Sequence, residues 1–266
     1  MQENMARTPR ERAGRDSAFV TETIDYTNNR PDLLWAMHLV LFDIDGTLTQ
    51  SQSLDSEIYL RSLWDVFGFE TVGSDWSTYR HATDSGILQE IFETRRGRAP
   101  TALEISAFRT HFVAAIAVAA AQTPFREIAG AAQALRNVAG LPFYEVGLAT
   151  GGWSDSARCK MRSAGMSYDG FPSASAEDAI ARASIMQIAI DRVAEHIGGD
   201  RPDTVTYVGD GVWDARACRQ LNIPFVGIAT GEHADTLRTE GAAEVFPDYS
   251  DLQEFSAALL RIRRSV

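Results

Sequence analysis

Residues 38–49 read His-Leu-Val-Leu-Phe-Asp-Ile-Asp-Gly-Thr-Leu-Thr. The first five form a short, apolar run that favours a strand, and the Asp-Gly pair further on is typical of a turn. A continuous apolar run of this length predicts a strand buried on both faces, as in a parallel sheet. Asp43 and Asp45 are therefore expected at the carboxyl end of that strand.

Strand-like and helix-like runs alternate through the second half of the chain. Further strands are predicted at 144–149, 204–208, 224–228 and 243–246. Helical patterns separate them at 128–138, 154–164, 180–196 and 214–221. This alternation predicts a doubly wound, Rossmann-like α/β fold whose parallel sheet carries helices on both faces. Ligands bind at the carboxyl ends of strands in such sheets, so the polar strand ends are expected to face one crevice.

Residues 51–123 lack this strand rhythm. Helical patterns occupy 55–67, 86–95 and 101–121, with amphipathic spacing at Ile58, Leu63 and Phe67. We predict a small all-helical cap domain at 51–123, inserted into an α/β core domain made of 37–50 and 124–266. Residues 1–36 are polar without a sustained period, which predicts a disordered N-terminal extension.

Composition limits the classes of function. The net charge of −11 and pI of about 4.9 repel nucleic acid and anionic membrane surfaces, which argues against both partners. The longest purely apolar run, 112–121, is half of the roughly 20 residues that a membrane span needs. No apolar segment follows the N-terminal arginines as in a secretory signal, so a cytoplasmic location is expected. The same negative field repels a phosphorylated substrate unless a local cation or metal offsets it.

Four acids are expected at the crevice: Asp43, Asp45, Asp210 and Asp214. Two such charges about 4 Å apart repel by roughly 4 kcal/mol at an effective dielectric of 20, so a cation must offset them. Carboxylates and carbonyls without a nearby histidine or cysteine are the ligands that suit Mg²⁺. The sequence therefore predicts a Mg²⁺ site formed by these four residues.

Taken together, these motifs resemble those of the haloacid dehalogenase-like superfamily, over residues 38–246. The matching motifs are Asp43-Ile-Asp-Gly-Thr-Leu-Thr49, Thr150-Gly-Gly, a later basic residue and Gly209-Asp-Gly-Val-Trp-Asp214. The chain is similar to phosphoglycolate phosphatase-type members with a helical cap. The resemblance implies a Mg²⁺-dependent phosphatase acting on a small phosphorylated metabolite. Asp43 is the implied nucleophile, which forms an aspartyl-phosphate, and Asp45 the implied general acid and base, whose backbone carbonyl also touches the metal.

Small residues near the strand ends are predicted to bind the substrate. Thr150 and the Gly151 amide are expected to donate hydrogen bonds to the phosphoryl oxygens, and glycines let the backbone approach the anion closely. Gly152, Gly46 and Thr47 are included in this predicted set. In the cap, Arg80 and His81 belong to a polar patch at 79–84 and are candidates for contacts with the leaving group.

The third motif requires a cation, and two residues are candidates. Arg182 lies near the start of a predicted helix, where the family places this residue, and 181–186 resembles the subgroup with arginine there. Lys160, the only lysine, lies roughly six residues into the helix after Thr150, about 9 Å from its N-terminal end. We therefore prefer Arg182 and expect a surface or packing role for Lys160.

Two alternatives to a phosphatase stay open. A phosphomutase uses the same aspartyl-phosphate and differs mainly in excluding water from it. A catalytically idle binding or regulatory protein could keep the fold, although the complete set of motif residues argues against it. A phosphonatase needs a cap lysine and the cap has none. Neither the substrate nor the oligomeric state is encoded in a short motif.

Overall fold

A six-stranded parallel sheet forms the centre of the chain in the computed structural model, which describes residues 36–265. Its strands are β1 (His38–Phe42), β2 (Tyr144–Ala149), β3 (Ser173–Ala174), β4 (Thr204–Gly209), β5 (Phe225–Ile228) and β6 (Glu244–Phe246). Their order across the sheet is β3-β2-β1-β4-β5-β6. The predicted doubly wound α/β fold is confirmed. Of the predicted N-terminal extension, residues 1–35 lie outside the described residues.

Nine α-helices accompany this sheet within the described residues, with a 3₁₀ turn at Trp76–Thr78. They are α1 (Gln52–Phe67), α2 (Asp84–Arg96), α3 (Ala102–Gln122), α4 (Ala131–Gly140), α5 (Ser154–Ser163), α6 (Arg182–His196), α7 (Val212–Leu221), α8 (Gly231–Thr239) and α9 (Leu252–Ser265). Sequence reasoning missed β3, α8 and α9. A two-residue strand has no period to detect, so β3 depends on its pairing with β2.

The central strand β1 is buried on both faces. It pairs in parallel with β2 on one side and with β4 on the other. Val40 and Phe42 pack into a core that includes side chains of α4, α5 and α9. Leu39 and Leu41 pack into a second core, with side chains of α6 and α7. This alternation fixes the register of β1 and places Asp43, the next residue, at its carboxyl end.

Residues 51–123, which we call the helical insertion, contribute α1, α2 and α3 between β1 and α4. They bury an aromatic cluster in which the Tyr59 and Phe108 ring centroids lie 4.9 Å apart, edge to face. Trp153, from the segment that joins β2 to α5, packs into the same cluster 6.3 Å from Tyr59. Edge-to-face and offset aromatic pairs of this kind each contribute about 1 kcal/mol beyond their buried area. The insertion is thus joined to the segment after β2 by side-chain packing.

One described helix, α3, is long and apolar enough to cross a membrane by length and composition alone. Its side chains Phe108, Phe112 and Ile116 are buried in the aromatic cluster. Its first turn carries a capping box, in which Thr101 and Glu104 exchange side-chain and backbone hydrogen bonds. Length and composition are weak evidence for a span, and one face of α3 packs against the rest of the helical insertion.

His38 begins β1 as a fully buried histidine. Its Nδ1 lies 2.5 Å from Thr204 Oγ1 and its Nε2 lies 3.2 Å from Thr206 Oγ1. Burial, together with the nearby Arg263 charge, lowers the pKa of His38 to about 3. The unfolded chain, with an ordinary histidine pKa near 6.5, therefore binds an extra proton between about pH 6.5 and pH 3. This histidine contributes stability above that window and loses it as the pH falls through it.

We expect this loss to appear when wild type is compared with His38→Gln, whose side chain does not titrate. The free energy of unfolding of wild type minus that of the variant should fall by roughly 1.4 kcal/mol per pH unit below about pH 6. Urea unfolding at several pH values measures it. The buried aspartates titrate in both proteins, so their contribution cancels. A difference that stays constant from about pH 7 to pH 4 contradicts the assignment.

Candidate active site

Three polar residues follow neighbouring strands at one edge of the sheet. Asp43 follows β1, Thr150 follows β2 and Asp210 follows β4, and all three are buried. Asp214 lies in the first turn of α7 and is also buried. Because β1 lies between β2 and β4, the carboxyl ends of the three strands adjoin.

Asp43, Asp210 and Asp214 form a carboxylate cluster. One oxygen from each lies within 4.8 Å of the others. Burial raises the pKa of Asp43 to about 7 against the opposing charge of Arg182, and burial also raises the pKa of Asp210 and Asp214. Within residues 36–265, the Oδ1 atoms of Asp43 and Asp214 accept no hydrogen bond. Three close carboxylates, two of them with an oxygen that accepts no hydrogen bond, fit a hard divalent cation such as Mg²⁺, which would keep them ionised together.

Asp210 is held by residues of the loop that follows β1 and by the start of α1. Thr47 Oγ1 donates to its Oδ1 at 3.2 Å, and the Gln52 side-chain amide donates to its Oδ2. Gly46 has a φ of +77°, and a Cβ there would lie 2.1 Å from Asp210 Oδ2. Gly46 and Thr47 were predicted to bind substrate; the structure places them against this carboxylate, away from the lining of the cavity described below.

Arg182, the first residue of α6, lies beside the carboxylate cluster. Its NH1 atom is 3.3 Å from Asp43 Oδ1 and its Nε is 3.4 Å from Asp214 Oδ1. Its NH2 donates to the carbonyl of Ala82 in the helical insertion at 3.1 Å. A Cβ at Gly151 would lie 2.5 Å from that NH2, so the glycine permits this close approach. Of the two candidate cations, Arg182 is the one that the structure places next to Asp43.

Of the surface or packing role expected for Lys160, the surface part is wrong, because the side chain is fully buried. Its Nζ lies 2.6 Å from Asp45 Oδ2 and 2.7 Å from Asp55 Oδ1. Burial alone would lower the pKa of this ammonium, but the two carboxylates raise it above its usual value. Lys160 shares the buried face of α5 with Ala157 and Met161. The sequence prediction considered only the distance of Lys160 from the N-terminal end of its helix. It did not consider the length of the lysine side chain or the proximity of Asp45 to α5.

Asp45 directs its carboxylate away from the carboxylate cluster. The Ser51 hydroxyl donates to its Oδ1 and Lys160 donates to its Oδ2. The side chain is 18% exposed and lines the cavity. The Asp45 carboxylate is therefore held by these two donors and is not part of the carboxylate cluster.

A cavity of about 80 Å³ opens at these strand ends. It is lined by Asp43, Asp45, Gln52, Asp55, Ser56, Tyr59, Trp76, Ala82, Thr83, Asp84, Ile87, Thr150, Gly151, Gly152, Arg182 and Trp213. The Thr150 hydroxyl accepts from the Gly152 amide at 3.1 Å, and its own proton has no acceptor among the described residues. Thr150 can therefore donate a hydrogen bond into the cavity.

The helical insertion closes one side of this cavity through hydrogen bonds to the core. The Asp84 amide donates to the Gly151 carbonyl at 2.8 Å, and Asp84 Oδ2 accepts from the Trp153 amide at 2.8 Å. Thr83 Oγ1 donates to the Ile180 carbonyl at 2.7 Å. These three hydrogen bonds hold the start of α2 against the core at the cavity.

Arg80 and His81, the predicted leaving-group contacts, do not line the cavity. The Arg80 guanidinium is largely exposed and lies 3.7 Å from Glu93. The next residues of the same loop, Ala82, Thr83 and Asp84, line the cavity in their place. The sequence located the loop but not the side chains that turn inward.

A model of the haloacid dehalogenase-like hydrolase family matches residues 37–222, more than half of the chain. This chain is a haloacid dehalogenase-like hydrolase. The resemblance drawn from the sequence motifs is thereby confirmed. No curated protein matches the chain.

Solved structures share the fold of this hydrolase at low sequence identity. A hydrolase from Pseudomonas syringae is 19% identical with a TM-score of 0.63, covering 82% of this chain and 96% of its own. CbbY from Rhodobacter sphaeroides, in complex with phosphate, is 15% identical with a TM-score of 0.62, covering 81% and 96%. A proposed beta-phosphoglucomutase from Bacteroides vulgatus is 19% identical with a TM-score of 0.63, covering 86% and 90%.

Several polar residues of this hydrolase escaped the sequence analysis. They are Ser51, Gln52, Asp55 and His233, whose Nε2 lies 2.6 Å from the Asp210 carbonyl. The first three lie at or near the start of α1, where a polar residue usually serves as a cap. For Lys160 a signal existed, because its spacing from Ala157 and Met161 places it on the apolar face of α5.

Proposed function

We propose that this hydrolase is a Mg²⁺-dependent phosphatase that removes phosphate from a small phosphorylated metabolite through an aspartyl-phosphate on Asp43. The observation that carries the proposal is the position of Asp43. Its carboxylate lines the cavity, lies 3.3 Å from Arg182 NH1 and belongs to the carboxylate cluster with Asp210 and Asp214. A nucleophilic carboxylate needs nearby positive charge when it approaches a phosphoryl dianion, and Arg182 together with a cation bound by the cluster would supply it.

The proposed reaction has two steps on residues that line one cavity. In the first, an Asp43 oxygen bonds to phosphorus, the bond to the ester oxygen breaks, and Asp45 gives its proton to the departing alkoxide. In the second, Asp45 takes a proton from water as the water oxygen attacks phosphorus, and Asp43 leaves as a carboxylate. Arg182, Thr150 and the Gly151 amide are the proposed donors to the phosphoryl oxygens in both steps.

The carboxylate cluster, with the backbone carbonyl of Asp45, is the proposed Mg²⁺ site. Bound Mg²⁺ would offset the charge of the acids and of the phosphoryl oxygens. Asp43 would serve both as ligand and as nucleophile, and Asp210 and Asp214 as ligands, directly or through water. Thr47 and Gln52 would orient Asp210 for this task.

The helical insertion is the proposed cap, which selects the leaving group. Residues of both the core and the insertion line the cavity, which supports a small metabolite held between them. CbbY, which shares the fold, is described with phosphate and, as a variant, with xylulose 1,5-bisphosphate. A cytoplasmic location belongs to the same proposal.

A phosphomutase is the second candidate, supported by the fold shared with a proposed beta-phosphoglucomutase. Both activities begin with the same transfer to Asp43. They differ in the fate of the aspartyl-phosphate: a phosphatase transfers its phosphoryl group to water, and a mutase transfers it back to a sugar.

A panel of phosphate monoesters with Mg²⁺ present should give free phosphate from several of them. Chelator should abolish turnover, and Mg²⁺ should restore it better than Ca²⁺, whose longer and looser coordination displaces the nucleophile. A phosphate-release assay, with product analysis of sugar phosphates, measures both outcomes. Isomerised sugar phosphate without free phosphate would identify a mutase. Full activity in excess chelator would overturn the metal assignment.

A further inference from the structure

Lys160 joins two acids that belong to different parts of the chain. Asp45 lies in the loop after β1, in the first motif, whereas Asp55 lies in the first turn of α1, in the helical insertion. The ammonium lies 2.6 Å from an oxygen of the first and 2.7 Å from an oxygen of the second. In the described part of the chain it forms no ion pair with Asp43, so its role differs from that of Arg182.

This ammonium is placed where an uncompensated charge is costly. A fully buried ion without a partner is strongly destabilising, and so is the removal of one member of a buried ion pair. Replacing the whole group, the ammonium with its carboxylates, by apolar side chains of similar volume is often neutral or stabilising. A purely structural reason for a lysine here is therefore weak.

The orientation of the Asp45 carboxylate depends on two donors. Ser51 donates to Oδ1 and Lys160 to Oδ2, so rotation about the last side-chain bond of Asp45 breaks at least one hydrogen bond. An ammonium has no acceptor capacity, so Lys160 can only donate to Oδ2 and thereby favours the carboxyl proton on Oδ1. The Ser51 hydroxyl beside Oδ1 can act as donor or acceptor, so it can stay hydrogen-bonded in both protonation states of Asp45.

We infer that Lys160 is a positioning residue that holds Asp45 in the geometry for proton transfer to the leaving group, with Asp55 as its second anchor. The inference rests on the proposed function, in which Asp45 is the general acid. Since Asp55 belongs to the helical insertion, the acid is held in place by contacts from both the core and the insertion.

The leaving group provides a readout that a structural role would not move. An ester of a basic alcohol needs its leaving oxygen protonated, whereas 4-nitrophenolate departs without a proton. 4-Nitrophenyl phosphate and 4-nitrobenzyl phosphate differ little in shape and greatly in leaving-group basicity. Lys160→Met should lower kcat/KM for the benzyl ester on the order of 10²-fold more than for the phenyl ester.

Two further variants keep the experiment decisive. Met161→Ala, the next residue of α5, removes buried volume without touching Asp45 and should lower both kcat/KM values equally. Asp55→Asn keeps Lys160 and removes only its second anchor, so it should shift the ratio of the two kcat/KM values in the same direction by a smaller factor.

If Lys160→Met does not fold, the ratio measured for Asp55→Asn decides. An unchanged ratio in the folded variants overturns the inference while leaving the phosphatase proposal intact. If wild type hydrolyses neither ester, the proposed function fails and the inference falls with it.

Discussion

Asp43→Asn should leave no measurable turnover and no phosphorylated enzyme. An amide oxygen carries no full charge and is a poor nucleophile toward phosphorus, and removing the nucleophile of a covalent enzyme costs on the order of 10⁶-fold in kcat. The substitution is nearly isosteric, so it should preserve the packing beside Arg182 and Asp214. Steady-state assays measure the first effect, and acid quenching after mixing with labelled substrate measures the second.

Asp45→Asn is the matched control, because it makes the same aspartate-to-asparagine substitution two residues further along the chain. It keeps the nucleophile and removes the acid and base, so both half-reactions should slow by about 10²- to 10⁴-fold. The aspartyl-phosphate should then persist long enough to be trapped. Substantial turnover by Asp43→Asn, in a preparation free of wild type, would move the nucleophile to another residue.

The strand-end residues of the site were predictable because the topology of a parallel sheet brings strand ends together. An apolar run such as 38–42 marks a strand buried on both faces, and Asp43 follows directly from its end. The same reasoning places Thr150 and Asp210 at the neighbouring ends of β2 and β4. No side-chain geometry is needed for these positions, only the order of strands and helices.

The residues that hold these acids could not be found in the same way, because their partners are distant in sequence. Lys160 and Asp55 are 105 positions apart, and neither carries a sign of the other. The position of Lys160 along the helix axis predicts a surface or packing role. A buried lysine among apolar neighbours requires a carboxylate partner, which the helix sequence does not reveal. Likewise, a loop pattern at 79–84 does not reveal that Ala82 and Asp84 turn inward while Arg80 stays exposed. These side-chain orientations depend on contacts between the helical insertion and the core.

Arg182→Ala should lower kcat/KM by several orders of magnitude. The side chain is the cation that the structure places beside Asp43, and charge on the transferring phosphoryl group would lose its partner in the transition state. Arg182→Lys should recover only part of this loss, since a point charge cannot contact Asp43, Asp214 and the Ala82 carbonyl as the planar guanidinium does. Steady-state kinetics on the two nitroaromatic esters provide the measurement.

The same two esters separate the role of Arg182 from that of Lys160. Charge on the phosphoryl oxygens must be stabilised whatever group leaves, so Arg182→Ala should lower kcat/KM for both esters by similar factors. Arg192→Ala is the control on the same helix; its ion pair with Asp178 is partly exposed, and its loss should cost at most about 1 kcal/mol of stability. Near-normal activity in a folded Arg182→Ala protein would contradict the assignment. Another cation would then have to stabilise the charge on the phosphoryl group. Lys160 could contact the phosphoryl group only by breaking its ion pairs with Asp45 and Asp55.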